Sequence, residues 1–157
     1  MKFSISDTFR RYNIKNTIKI AIIICSINIF LSLFYNYIMS IFKFNYAPNP
    51  IPFNNIYEDF FLVVCLAPII ETGLFQFIPA HFLKRFNKLK IILISSIIFS
   101  LSHWYSVLNF VYGFIIGILF ITGYFYAINK KSNPVLTIIF SHAFYNIYAF
   151  VMNNYNK

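Results

Sequence analysis

The sequence contains little charge, and acidic residues are its scarcest charged type. Its 157 residues include 4 Asp and Glu against 13 Lys and Arg, and 11% of all residues are charged. A soluble domain carries about 25% charged residues. Hydrophobic residues make up 59% of the chain and aromatic residues 22%. These proportions exclude an ordinary soluble domain and predict an integral membrane protein, with the lipid bilayer as its surroundings.

Cysteine is also scarce, which limits the kinds of site that the chain can build. Its 2 cysteines, Cys25 and Cys65, both lie inside apolar runs. They form neither a disulfide framework nor a pair with metal-ligand spacing. We interpret both as small apolar residues that pack between helices.

Five apolar segments are each about long enough to be a transmembrane helix, which needs about 20 residues. We therefore predict an all-α bundle of about five transmembrane helices forming one domain over residues 1–157. The first segment is too long for the apolar region of a signal peptide, so we expect it to be retained. Between the first two segments, the three prolines in 47–52 predict an extended loop. The predicted helices are Ile18–Phe42, Tyr57–Phe82, Ile91–Leu108, Phe110–Ile128 and Pro134–Met152.

The basic residues lie in short clusters between these segments, so the net charge of +9 does not indicate nucleic-acid binding. Clusters precede the first helix, separate the second from the third, and separate the fourth from the fifth. With five spans, all three clusters fall on the same side of the membrane. The positive-inside rule then predicts a cytoplasmic N-terminus and an extracellular C-terminus. Together with the composition, we take this to describe a multi-pass protein of a bacterial cell membrane.

A pair of glycines, Gly113 and Gly117, forms a Gly-x-x-x-Gly pattern in the fourth predicted helix. This pattern lets two helix backbones approach closely. We expect it to pack against another helix of the same chain, with dimerisation as the alternative. The oligomeric state is left open.

Three ionisable residues in the later apolar segments are candidates for a functional site. Glu71 is the only acid after Asp59, and His103 and His142 each lie in a separate predicted helix. Ionisable residues inside a membrane are costly, with about 2.5–3.5 kcal/mol for an acid at the helix centre, and they are usually functional. His142 and Asn146 are four residues apart and therefore share one helix face.

Together these groups suit hydrolysis of an amide. A carboxylate can remove a proton from water, and an Asn amide can donate a hydrogen bond to the developing oxyanion. Glu71, His103 and His142 could instead bind a metal, which leaves a position for water. Alternatives drawn from the residue types alone are a proton relay at Glu71 and hydrogen bonding between helices for the histidines.

Motifs of other proteases that act in membranes are absent. No His-Glu-x-x-His sequence occurs, which argues against a zincin-type site. Neither Gly-x-Ser-Gly nor a Gly-x-Gly-Asp sequence is present. Ser102 and Ser141 each directly precede a histidine, but neighbouring residues on a helix point in different directions and make poor Ser-His pairs.

Three motifs resemble those of the CPBP family, which comprises CAAX-processing and bacteriocin-processing intramembrane proteases. This family is also called the abortive-infection family and is related to the Rce1-type prenyl-protein protease. The segment from Glu71 to Gln76 resembles its Glu-Glu-x-x-x-Arg motif, Phe99 to His103 its Phe-x-x-x-His motif, and His142 to Asn146 its His-x-x-x-Asn motif. The resemblance covers a protease-like core at about 57–150, preceded by a basic segment and one extra helix.

The resemblance implies an intramembrane endopeptidase that cleaves a hydrophobic or membrane-associated peptide or protein. It assigns water activation to Glu71, places His103 and His142 around that water or a metal, and puts His142 and Asn146 near the oxyanion. Members are commonly labelled metalloproteases, so the expected cofactor is a divalent metal, zinc first. Glu71, His103 and His142 would be its ligands.

Two positions depart from the family pattern. Thr72 stands where the second Glu is usual, and Gln76 stands where the Arg is usual. They are four residues apart on one helix face, so we predict a hydrogen bond between them that replaces a structural ion pair. The alternative is an inactive family member, acting as a bacteriocin immunity protein or as a peptide-binding membrane protein.

Overall fold

The computed structural model describes residues 12–43 and 55–155, and every regular element in these ranges is helical. The 47–52 loop, the start of the first basic cluster and the last two residues lie outside them. Five helices follow one another: α1 Ile14–Ile41, α2 Ile56–Phe82, α3 Lys88–Ser102, α4 Val107–Asn129 and α5 Pro134–Tyr155. The predicted all-α membrane bundle is confirmed.

Polar residues fix where most of these helices begin. Asn13 caps α1 by accepting hydrogen bonds from the backbone N–H groups of Lys15 and Asn16, at 3.0 and 3.3 Å. Asn55, Asn87 and Ser106 cap α2, α3 and α4 in the same way. A side-chain oxygen at this position satisfies a backbone donor that has no partner within the helix. Pro134 begins α5, where a missing N–H costs nothing.

The third helix is shorter than the sequence predicts, and its end was placed wrongly. We predicted Ile91–Leu108, but α3 ends at Ser102 and α4 begins at Val107. The chain leaves α3 at His103, and α4 begins only after Ser106. Ser106 has an extended backbone, and its side chain caps α4. Its 15 residues rise about 22 Å, less than a hydrocarbon core of about 30 Å. The other four helices are long and apolar enough to cross a membrane.

Helix α4 lies at the centre of the bundle. Its Phe120 and Ile121 are fully buried, and they form the core with Ile24 of α1, Phe99 of α3 and Ile138 of α5. Large apolar side chains on the outer faces of the helices are exposed, as a bilayer requires. The chain is therefore a multi-pass membrane protein with an inward-facing core.

The predicted intramolecular role of the glycine pair is confirmed, because α4 packs against α3 through it. A Cβ atom built on Gly117 would lie 2.8 Å from the Cα of Ser96, and one on Gly113 would lie 3.4 Å from the Cα of Ser100. The two small serines of α3 and the two glycines of α4 thus let the backbones approach closely.

The basic clusters of the described residues gather at one end of the bundle. The backbone N–H of Asn13, before α1, donates to the carbonyl of Lys131, after α4, at 3.4 Å. Lys88, at the start of α3, places its ammonium 5.1 Å from the centre of the Phe125 ring near the end of α4. We call this end the basic end of the bundle.

Candidate active site

The three predicted ionisable residues meet inside the bundle. The Nε2 atom of His103 lies 3.9 Å from Oε2 of Glu71, and Nε2 of His142 lies 4.0 Å from the same oxygen. Glu71 is on α2, His103 follows α3 and His142 is on α5. The Glu71 side chain is 22% exposed, but its Oε2 is buried and has no hydrogen-bond partner. Three helices thus converge on one carboxylate oxygen.

Glu71 lies between two distorted stretches of α2. The helix widens to the π form over Phe61–Leu66 and again over Thr72–Phe77, with Ala67–Glu71 in ordinary α form between them. Such π stretches are rare and occur frequently at functional sites. Each is followed closely by a proline, Pro68 or Pro79, which cannot donate a backbone hydrogen bond. The helix that carries the acid is therefore irregular on both sides of it.

His103 is held at the end of α3 by hydrogen bonds to neighbouring residues and by an aromatic ring. Its Nδ1 lies 3.0 Å from the carbonyl oxygen of Phe99 and 2.9 Å from Oγ of Ser102. Because a carbonyl only accepts, Nδ1 carries the proton in the neutral ring, and Nε2 is left as an acceptor. The ring also stacks on Phe99, with centroids 4.6 Å apart. Nε2 therefore faces Glu71 with a free lone pair.

His142 is the most enclosed of the three groups. Its side chain is 9% exposed and contacts the rings of Phe120 and Phe99, with centroids 5.0 and 6.5 Å away. Its Nδ1 is buried without a hydrogen-bond partner. Phe99 thus contacts both histidines and itself is only 3% exposed, which explains the place of an aromatic residue in the second motif.

Asn146 reaches the same helix as Glu71 but at another point. Its Nδ2 donates a hydrogen bond of 2.7 Å to the backbone carbonyl of Val63. This uses one of the two amide protons. Sequence reasoning predicted a role at the oxyanion but did not predict the contact with Val63.

The predicted hydrogen bond between Thr72 and Gln76 is absent. Both side chains are buried, at 0% and 1% exposure, yet Thr72 Oγ1 and Gln76 Nε2 have no hydrogen-bond partner. The prediction assumed α-helical spacing, but residues Thr72–Phe77 are in the π form. In the wider π turn, two residues that are four positions apart no longer lie on the same face of the helix. The two neutral residues therefore replace the family's charges without pairing.

The donor atoms of Glu71, His103 and His142 suit zinc in type, but their spacing is wide. Two ligands of one tetrahedral zinc ion, each about 2.0–2.1 Å from it, are about 3.3 Å apart. The separations here are 3.9 and 4.0 Å. Within residues 12–43 and 55–155, no group of three His, Cys, Asp or Glu side chains is arranged to hold a metal ion. The side chains as placed do not fit a shared ion.

Two side chains near the site were missed by sequence reasoning. Ser95 of α3 donates through Oγ to the carbonyl of Phe75 on α2, and Phe120 of α4 contacts His142. Neither is distinctive in sequence, because a serine or phenylalanine in an apolar helix is ordinary. The signal that the sequence did contain was a pair of prolines, Pro79 four residues after Phe75 and Pro68 five residues after Val63. A proline leaves a carbonyl earlier in its helix without a donor.

Comparison with known families agrees with the motifs. The family model described as type II CAAX prenyl endopeptidase, Rce1-like, matches residues 53–148, which is more than half of the chain. The match contains all three motif segments and leaves α1 outside. No curated protein and no solved structure matches the chain.

Proposed function

The chain belongs to the type II CAAX prenyl endopeptidase Rce1-like family, which is a family of proteases, and from this premise we propose that it is an active intramembrane endopeptidase. Its substrate is a hydrophobic or lipid-modified peptide or protein at the membrane. The observation that carries the proposal is the approach of two histidine Nε2 atoms to one oxygen of Glu71, at 3.9 and 4.0 Å.

A water molecule between Glu71 and His103 is the proposed nucleophile. Both Oε2 of Glu71 and Nε2 of His103 are acceptors, and they are too far apart for a direct hydrogen bond. A water with two protons satisfies both groups, since polar atoms beyond 3.5 Å are commonly bridged in this way. Its oxygen then keeps a lone pair for attack on the substrate.

The carboxylate of Glu71 takes one proton from this water while the oxygen attacks the carbonyl carbon of the peptide bond. The carbonyl oxygen becomes an oxyanion, and a proton on Nε2 of His142 donates to it. Glu71 then passes its proton to the nitrogen of the leaving amine as the C–N bond breaks. The products are a carboxylic acid and an amine, and Glu71 returns to its starting state.

The first test is cleavage by the purified full chain in proteoliposomes. The probe is a fluorogenic peptide that ends in a farnesylated CAAX sequence, with the unprenylated peptide as a second probe. We expect Glu71→Gln to abolish cleavage, because the amide cannot accept the proton. Glu58→Gln is the matched control, since Glu58 is an exposed acid in the first turn of the same helix. Equal cleavage by both variants would contradict the proposal.

Metal analysis separates the two routes to an activated water. Zinc bound by Glu71, His103 and His142 would copurify at about one ion per chain, and chelation would remove both the ion and the activity. Water held by Glu71 and His103 predicts cleavage that survives chelation. The wide spacing of the three donors favours the second route.

The inactive-member alternative is supported by one observation, the neutral Thr72 and Gln76 in place of the family's charged pair. An immunity or peptide-binding protein needs the fold and the groove but not the carboxylate. Glu71→Gln would then retain the biological effect, and the wild-type chain would bind the probe peptides without cutting them.

We also propose the orientation in the membrane. The basic end of the bundle faces the cytoplasm, because Lys and Arg accumulate in cytoplasmic loops. The N-terminus is then cytoplasmic and the C-terminus extracellular.

A further inference from the structure

Each helix that supplies a histidine also binds a backbone carbonyl of α2. Asn146, on α5 with His142, donates to the carbonyl of Val63 at 2.7 Å. Ser95, on α3 two turns before His103, donates to the carbonyl of Phe75. The two bound carbonyls lie on either side of Glu71 along the helix. Both helices therefore contact α2 twice, once with a histidine and once with a donor to a backbone carbonyl.

Val63 lacks a backbone donor because of Pro68. The N–H of Ala67 donates to Leu62, five residues back, as the π form requires. The next bond in this register would run from residue 68 to Val63, but Pro68 has no N–H. An unpaired carbonyl inside an apolar bundle is costly, so a side-chain donor is needed there. Asn146 supplies that donor.

Pro79 has the same effect on Phe75. The helix returns from the π to the α form at Ile78. In the α register the N–H of residue 79 would donate to the carbonyl of Phe75, and in the π register to that of Leu74, but a proline has no N–H to give to either. The N–H of Ile78 is occupied elsewhere, since it donates to Gly73. Ser95 donates to the Phe75 carbonyl instead. Pro68 and Pro79 are both buried. Solvent therefore cannot take the place of the N–H groups that the two prolines lack.

We propose that Pro68 and Pro79 position Glu71 between the two histidines by freeing the carbonyls to which Asn146 and Ser95 bind. Asn146 and Ser95 are positioning residues that fix α5 and α3 on α2. This positioning role goes beyond the proposed function and depends on it only where cleavage is the quantity measured. His142 and Asn146, four residues apart on α5, then contact α2 at two points. His142 lies beside Glu71, and Asn146 bonds to Val63.

The test is a double-mutant cycle on thermal unfolding of the full chain in detergent. We expect Asn146→Ala to lower the midpoint by about 4 °C or more, since a buried acceptor loses its donor. In the Pro68→Ala background a backbone N–H can reach Val63, so the same change should lower the midpoint by less than half as much. Equal losses in both backgrounds would overturn the inference.

The second cycle, of Ser95→Ala with Pro79→Ala, tests the same device at the other contact and guards against a variant that does not fold. Two control residues bond only within their own helices. Asn154 Nδ2 donates to Phe150 at 2.8 Å, and Ser96 Oγ donates to Ile92 at 2.7 Å. We expect Asn154→Ala and Ser96→Ala to show no coupling to either proline.

Cleavage of the farnesylated probe distinguishes positioning from direct contact with substrate. If Asn146 acts by positioning, Pro68→Ala alone should lower kcat, because Val63 then has a backbone donor and the bond that ties α5 to α2 weakens. Full kcat in Pro68→Ala together with a loss of kcat in Asn146→Ala would overturn the positioning role and make Asn146 a direct contact of the substrate. If the wild-type chain cuts neither probe, the proposed function fails, while the stability cycles still decide whether the prolines create these contacts.

Discussion

At the scale of single residues, burial separates the roles of the two histidines. His103 is 34% exposed and is held through Nδ1, whereas His142 is 9% exposed and packs against Phe120. Both present Nε2 to Glu71. Nε2 is therefore positioned by hydrogen bonding and ring stacking in His103, and by aromatic packing without a hydrogen bond at Nδ1 in His142.

This difference predicts distinct consequences for two matched substitutions. His103→Gln should lower kcat by about 10²-fold or more, because an acceptor for the nucleophilic water is lost, with little change in the unfolding midpoint. His142→Gln should lower kcat by about 10²–10³-fold and also lower the midpoint, since it disturbs a buried contact. Kinetics on the farnesylated probe and thermal unfolding check both. Equal midpoints for the two variants would contradict the assignment.

The neutral pair Thr72 and Gln76 gives a second prediction. Thr72→Glu alone places an unpaired charge at a fully buried position, which should cost about 3–5 kcal/mol. Gln76→Arg alone should cost a similar amount. The double variant should lose about the sum of the two, because the π form places the two positions out of line with each other. Chemical unfolding measures the coupling, and a loss in the double variant much smaller than the sum would show that the two positions do face each other.

At the scale of elements, the contact between α3 and α4 depends on small residues. Gly117→Ala would bring a Cβ to 2.8 Å from a backbone atom of Ser96, which cannot move aside as a flexible side chain can. We expect a loss of about 1–3 kcal/mol in the free energy of unfolding.

Gly73→Ala is the control for this change. A Cβ at Gly73 would have nothing within 4 Å, so its stability should be unchanged or slightly raised, as alanine favours a helix. Similar losses for both variants would show that close approach of the helices is not the cause.

At the scale of the whole molecule, the basic end defines an orientation that can be measured. In a background in which Cys25 and Cys65 are replaced by serine, a single cysteine is placed at Lys130 or at Tyr105, both exposed. A maleimide that does not cross membranes should label Tyr105→Cys in intact cells and Lys130→Cys only after lysis. The opposite pattern would reverse the proposed topology.

The membrane class, the helical bundle and the family could be predicted from the sequence, as could the candidate site residues Glu71, His103 and His142. These follow from hydropathy, from the cost of charge in a membrane and from motif spacing, all of which are local along the chain. Family membership confirms the resemblance that the three motifs carried, while the catalytic roles and the metal remain predictions. The glycine pair was also readable, because close packing of backbones needs residues without side chains.

The tertiary structure alone decided where α3 ends, that Thr72 and Gln76 do not bond, and that Asn146 and Ser95 bind carbonyls of α2. Each depends on which atoms meet across helices. Regular helix spacing predicts faces correctly only while the helix stays in α form, and α2 leaves that form on both sides of Glu71. A carbonyl freed by a proline takes whichever donor the packing of neighbouring helices brings to it. That choice is made in three dimensions.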